Sequence, residues 1–129
     1  MTAIIVYEIA ITFETVITVI FWSFLFKPKD YFDIYVLNSI LVHSCPLLFL
    51  ILEFIMTRWL FRFQHFVIVF IPGVLYTGIN FLIVKISGNP IYVILKWDSF
   101  MSLLISIGIG GLYFGAFVFY WLMTKLRFK

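Results

Sequence analysis

Four long apolar stretches, at about 3–26, 36–58, 66–86 and 100–123, alternate with short runs that hold most of the charges. A helix needs about 20 apolar residues, at about 1.5 Å each, to cross the hydrocarbon core of a bilayer. The pattern therefore predicts an all-α membrane protein, with four transmembrane helices and short loops forming a single transmembrane helical domain over 1–129. Lys27-Pro-Lys-Asp-Tyr-Phe-Asp33 is the first loop, and its proline ends the preceding helix. Arg58-Trp-Leu-Phe-Arg-Phe-Gln-His65 is the second turn, an aromatic and basic belt in which His65 is expected at the interface. Ser87-Gly-Asn-Pro90 is the third. Ile91 to Asp98 is too short to span, amphipathic and aromatic, so it is expected to lie flat at the membrane surface as one short interfacial segment.

Polar residues interrupt the apolar runs. The first run is too long for a cleaved signal, lacks a basic leader and contains Glu8 and Glu14, so it reads as a retained membrane helix. The two glutamates lie six apart and fall on different faces. Glu8 is close enough to the end to snorkel, whereas Glu14, with Thr15 and Thr18 near it, should point into the bundle. In the second run Pro46 removes a backbone hydrogen bond to Val42 and predicts a kink beside His43, with Ser39 and Ser44 as candidates to satisfy the freed groups. His43 and Glu53 lie ten residues apart, about 15 Å along one helix, and cannot touch. Pro72-Gly73 marks a second kink, and Thr77, Gly78 and Asn80 supply small or hydrogen-bonding packing groups. In the fourth run Ser102, Ser106 and Gly110 recur every fourth residue and Gly111 and Gly115 form a GxxxG, predicting a close helix contact within the bundle or with another subunit.

Composition agrees with a lipid setting: 64% of the 129 residues are hydrophobic and 12% charged, against about 25% charged in soluble domains. The net charge of +3 does not imply nucleic acid, because the basic residues sit in groups at segment ends. Arg58, Arg62, Lys125 and Arg127 are expected to meet lipid headgroups. Four crossings place both termini on one side, with Arg58, Arg62, Lys125, Arg127 and Lys129; Lys27, Lys29, Lys85 and Lys96 lie on the other. Five against four is too even for the positive-inside rule to fix orientation. The lone Cys45 has no disulfide partner within the chain, and its place in an apolar run favours an inert thiol. The preference for Phe, Ile, Tyr and Lys suits an AT-rich coding genome.

Several segments resemble a known family. Phe13 to Phe26 with its Val-Ile-Phe-Trp core, the charged loop, Leu37-Asn38 ahead of His43, and Pro46 to Glu53 are similar to the second half of the androgen-induced membrane hydrolases. Asn89-Pro-Ile-Tyr-Val-Ile-Leu resembles a further motif of theirs, and rolling-stone-type membrane proteins share part of the pattern. The resemblance implies a bundle of about six crossings that cleaves esters of hydroxylated fatty acids with a threonine nucleophile and a histidine base. His43 matches the histidine. The threonine belongs to a helix ahead of the matching region, and Thr12, Thr15 and Thr18 are not at its position, so the activity is not carried over.

Two function classes follow. The first is a non-catalytic accessory subunit of a larger membrane complex, of respiratory or ATP-synthase type, whose partners are membrane lipids and other membrane subunits. The mitochondrial inner membrane fits the residue usage; the endoplasmic reticulum or another endomembrane is the alternative. The second is an intramembrane ester hydrolase with His43 as base and Thr15 or Ser44 as substitute nucleophile. Glu14, His43 and Glu53 are the polar residues at membrane depth, and a proton path through them would require a water-lined cavity. Haem ligation by His43 and His65 is disfavoured because the two lie at different depths, so no cofactor or metal is expected.

Overall fold

The computed structural model describes residues 2–27, 33–57, 60–92 and 94–127. It is all-helical among them, with four stretches long and apolar enough to cross a membrane: Thr2–Leu25, Ile34–Met56, Phe63–Ser87 and Phe100–Arg127. These agree with the expected spans to within a few residues. The last helix runs four residues further, to Arg127, because nothing in Thr124-Lys-Leu-Arg127 breaks a helix.

Helix α1 (Thr2–Ile20) ends in a wider π-helical turn, Phe21–Leu25. The second span is divided into α2 (Ile34–His43) and α3 (Cys45–Met56). Asp33 starts α2 by accepting a hydrogen bond from the Val36 N–H at 3.0 Å. The break falls at Ser44, and Pro46 sits in the first turn of α3, where its missing N–H is harmless. A short 3₁₀ turn, Phe63–His65, leads into α4 (Phe66–Ser87). Helix α4 passes through Pro72 as one element and closes on Gly88, whose φ of 71° is the left-handed cap glycine tolerates. Helix α5 (Phe100–Arg127) completes the bundle.

Helix α1 is the hub and packs against each of the other four. Its buried side chains, Tyr7, Glu8, Ile11, Thr12 and Val16, recur at helical spacing. They meet Phe54, Phe61, Val69, Tyr113, Phe117 and Tyr120 in an aromatic core. Hydroxyls tie the helices together: Tyr7 donates to the Leu50 carbonyl at 2.6 Å and Tyr113 to the Val69 carbonyl at 2.8 Å. Around this core the outer surface is apolar, with Val67, Ile86, Phe49 and Ile107 fully outward. Such a surface matches lipid and would aggregate in water.

Residues 91–98, expected as a short interfacial segment, form turns and bends among those described and fold back onto the bundle. Leu95 is buried. Trp97 adopts φ 55°, unusual for a bulky residue. Its neighbours hold it there. The indole N–H donates to Asn80 at 2.8 Å, its backbone N–H to Ser102 Oγ at 3.0 Å, and its carbonyl accepts from Lys85 Nζ at 2.9 Å.

Candidate functional site

The division at Ser44 places His43 against the end of α1. Its imidazole stacks on Phe21 with centroids 3.6 Å apart and planes 17° from parallel. The π turn carries Phe21 and also Trp22, whose indole N–H donates to Ser44 Oγ at 2.9 Å. A broken helix leaves carbonyls without intrahelical partners, and one of them is met from outside: Thr18 Oγ1 donates to the His43 carbonyl at 2.5 Å. The expected helpers do other work. Ser39 bonds back to the Tyr35 carbonyl, and Ser44 serves Trp22.

None of the nearby hydroxyls bonds the His43 imidazole among the described residues. Thr15 shares hydrogen bonds with the Ile11 carbonyl at 2.7 Å and with the Tyr120 hydroxyl at 2.9 Å. Thr18 reaches the backbone of His43 and not its ring. The polar trio is not gathered either. Glu14 is half-buried on α1, Glu53 is exposed near the end of α3, and no hydrogen bond or ion pair joins them to His43 among the described residues.

His43 does line a partly open cavity of about 310 Å³ between α1, α4 and α5, roofed by Tyr92, Ile94 and Leu95. Neither Glu14 nor Glu53 lines it. Its wall is overwhelmingly apolar, from residues such as Phe13, Ile17, Leu25 and Ile109. Most polar groups in the wall are already committed: Thr77 donates to the Gly73 carbonyl and Ser106 to the Ser102 carbonyl, each at 2.9 Å. Tyr76 donates to Tyr92 across the rim at 2.7 Å. Two are not: the His43 ring makes no hydrogen bond among the described residues, and Asn80, 1% exposed, has an amide nitrogen without a partner among them. The apolar cavity with a few polar groups is the general form of a small-molecule site.

A second polar cluster lies at the opposite end of the bundle. Glu8 is fully buried, with Oε2 2.7 Å from His65 Nδ1 and Oε1 accepting from the Arg62 backbone N–H at 3.1 Å. Glu8 therefore does not snorkel, and His65, 8% exposed, is enclosed by protein and not a headgroup contact. The reason is mutual: each finds in the other a partner that lipid cannot offer. A sequence signal existed, a carboxyl and an imidazole at matching depth on the same side of the membrane.

The residues expected to pack helices divide. Ser102 is buried and accepts from the Trp97 N–H, Ser106 faces the cavity, and a Cβ at Gly110 would lie 3.9 Å from Phe70. Gly111 and Gly115 face outward, with nothing within 4 Å of a Cβ among the described residues, so the GxxxG makes no contact inside the bundle. Of the expected headgroup residues, Arg58 lies outside the described residues. Arg62 is exposed, and Lys125 sits 4.1 Å over the Trp121 ring. Arg127 is used differently: its guanidinium donates to the Phe54 and Ile55 carbonyls and lies 5.5 Å over the Phe54 ring, capping the C-terminus of α3. Cys45 is a half-buried free thiol.

No known protein family matches this chain, and no curated protein or solved structure is similar to it.

Proposed function

We propose that this integral membrane protein is a non-catalytic accessory subunit of a larger membrane complex. The observation that carries the reading is the outward face of α5, where Gly108, Gly111 and Gly115 lie at helical spacing with open space beside each. Small residues at that spacing let a second helix approach closely, and in lipid close packing replaces the hydrophobic drive. The hydroxyls around His43, each engaged elsewhere, support a role without chemistry. The residue usage, rich in Phe and Ile, fits a respiratory or ATP-synthase type complex of the mitochondrial inner membrane. Extraction in a mild detergent and sizing tests this. The chain should travel in a stoichiometric complex, and Gly111→Leu with Gly115→Leu should release it as a folded monomer. A wild-type chain that is monomeric after such extraction contradicts the reading.

A second reading, an intramembrane hydrolase with His43 as base, is favoured by the presence of that imidazole on the wall of an apolar cavity. It requires a hydroxyl to leave its present partner and turn to the ring. Labelling of the purified protein by a fluorophosphonate, lost in His43→Ala, would support it; no labelling would count against it.

A further inference from the structure

We infer that the cavity beneath Tyr92, Ile94 and Leu95 binds a neutral single-chain alcohol, whose hydroxyl hydrogen-bonds the edge of the His43 ring. The inference is independent of both functional readings, since binding requires neither a partner subunit nor a reaction.

His43 lines the cavity with the face of its ring against Phe21, so the edge that carries the nitrogens is left to meet a ligand. Among the described residues, the only side-chain polar atoms both fully enclosed and unpartnered are Thr12 Oγ1 and the Asn80 amide nitrogen. The Asn80 nitrogen is therefore shut off from the cavity and takes no part, whereas the unpartnered nitrogens of half-buried His43 are open to contact. A neutral imidazole carries one N–H donor and one acceptor nitrogen, and lipid tails offer a partner to neither. Tyr92 is the other open donor on the wall: its oxygen accepts from Tyr76, and its own proton has no acceptor among the described residues. Tyr92 already has one partner and the imidazole has none, so a ligand head gains most at His43.

The rest of the wall defines the ligand. Thr77 and Ser106 have spent their protons on backbone carbonyls and keep oxygen lone pairs. The wall therefore mixes donors, on His43 and Tyr92, with acceptors, on His43, Thr77 and Ser106. A carbonyl head only accepts, while a hydroxyl gives and receives and can use both kinds. No lysine, arginine, aspartate or glutamate lines the cavity among the described residues, so an ionised carboxylate or phosphate would be desolvated without a fixed counter-charge. The cavity is also elongated. Phe13, Ile17, Phe21 and Leu25 line it along α1 and its π turn, a run of about 18 Å at 1.5 Å per residue. A volume of about 310 Å³ spread over that length is narrow, and it suits one chain in place of fused rings.

Titration of the detergent-solubilised full chain with 1-undecanol, n-undecane and undecanoate, read by scanning fluorimetry at one detergent concentration, tests the site. His43→Phe keeps an aromatic ring on Phe21 and removes both nitrogens. It should weaken undecanol binding about tenfold, the ratio expected for one buried hydrogen bond, and leave undecane binding within about twofold. Comparing variants cancels the partition of each ligand into micelles. Tyr92→Phe should weaken undecanol binding by less than His43→Phe does. Undecanoate at pH 8 should bind more weakly than undecanol, and cholesterol, the same head on fused rings, should fail to displace it. Ser106→Leu, which fills the cavity, should abolish binding of both alcohol and alkane. If His43→Phe does not fold, ring-nitrogen NMR of the histidine-labelled wild type answers the same question: the His43 signals should move further with undecanol than with undecane. Undecanol binding that is unchanged in His43→Phe, or His43 signals that move equally with both ligands, would overturn the inference. So would a greater loss in Tyr92→Phe, tighter binding of undecanoate, displacement by cholesterol, undecanol or undecane binding that survives Ser106→Leu, or no binding of undecanol at all.

Discussion

A carboxyl 2.7 Å from an imidazole inside a lipid-facing bundle is stable only while both partners are present. Removing one leaves the other buried without its hydrogen-bond partner, at about 1–3 kcal/mol, while replacing both with apolar groups of similar shape is close to neutral. Glu8→Ala should therefore lower the melting temperature in dodecyl maltoside sharply. Glu8→Leu combined with His65→Leu should recover most of the loss. A double variant as unstable as the single one would show that the pair does not explain the burial. Asn80 follows the same logic on a smaller scale, since its oxygen holds Trp97 in its left-handed conformation. Trp97→Phe leaves the buried Asn80 oxygen without its donor, so it should cost about 1–3 kcal/mol and should loosen the described residues of 91–98 in hydrogen exchange.

At the scale of elements, helix ends are closed by side chains from other helices. Thr18 on α1 serves the carbonyl at the end of α2, and Arg127 on α5 serves the carbonyls at the end of α3. Thr18→Val should leave the His43 carbonyl unsatisfied in lipid, at about 1–3 kcal/mol, and shift the emission of the adjacent Trp22. Arg127→Lys keeps the charge but loses the fork that reaches two carbonyls, so it should restore less than half of the stability lost in Arg127→Met. Span lengths and the break beside His43 were legible because apolar runs and Pro46 act locally. The partner of each polar group was not. Glu8 and His65 are 57 positions apart, and only their matching depth at one end of the bundle hints at the pairing. Gly111 and Gly115 left open whether their stripe meets this bundle or another subunit, because periodicity states that a stripe exists and not what covers it. Residues 91–98 carried a surface pattern, yet Trp97 is fixed by contacts with Asn80, Ser102 and Lys85 that local pattern does not encode.

The whole molecule is a bundle with its core around α1, an apolar exterior, and polarity at two levels: the Glu8–His65 pair at one end and the Asn80 cavity toward the other. Four helices long and apolar enough to cross imply that Thr2, Leu60 and Arg127 share one membrane face and that Lys27 and Asn89 lie on the opposite one. Single cysteines introduced at these five positions in a Cys45→Ser background, labelled with a membrane-impermeant maleimide in sealed vesicles, test this most directly. Positions 2, 60 and 127 should react from one side, and 27 and 89 from the other. Reaction of positions 2 and 127 from opposite sides would contradict the four-span bundle.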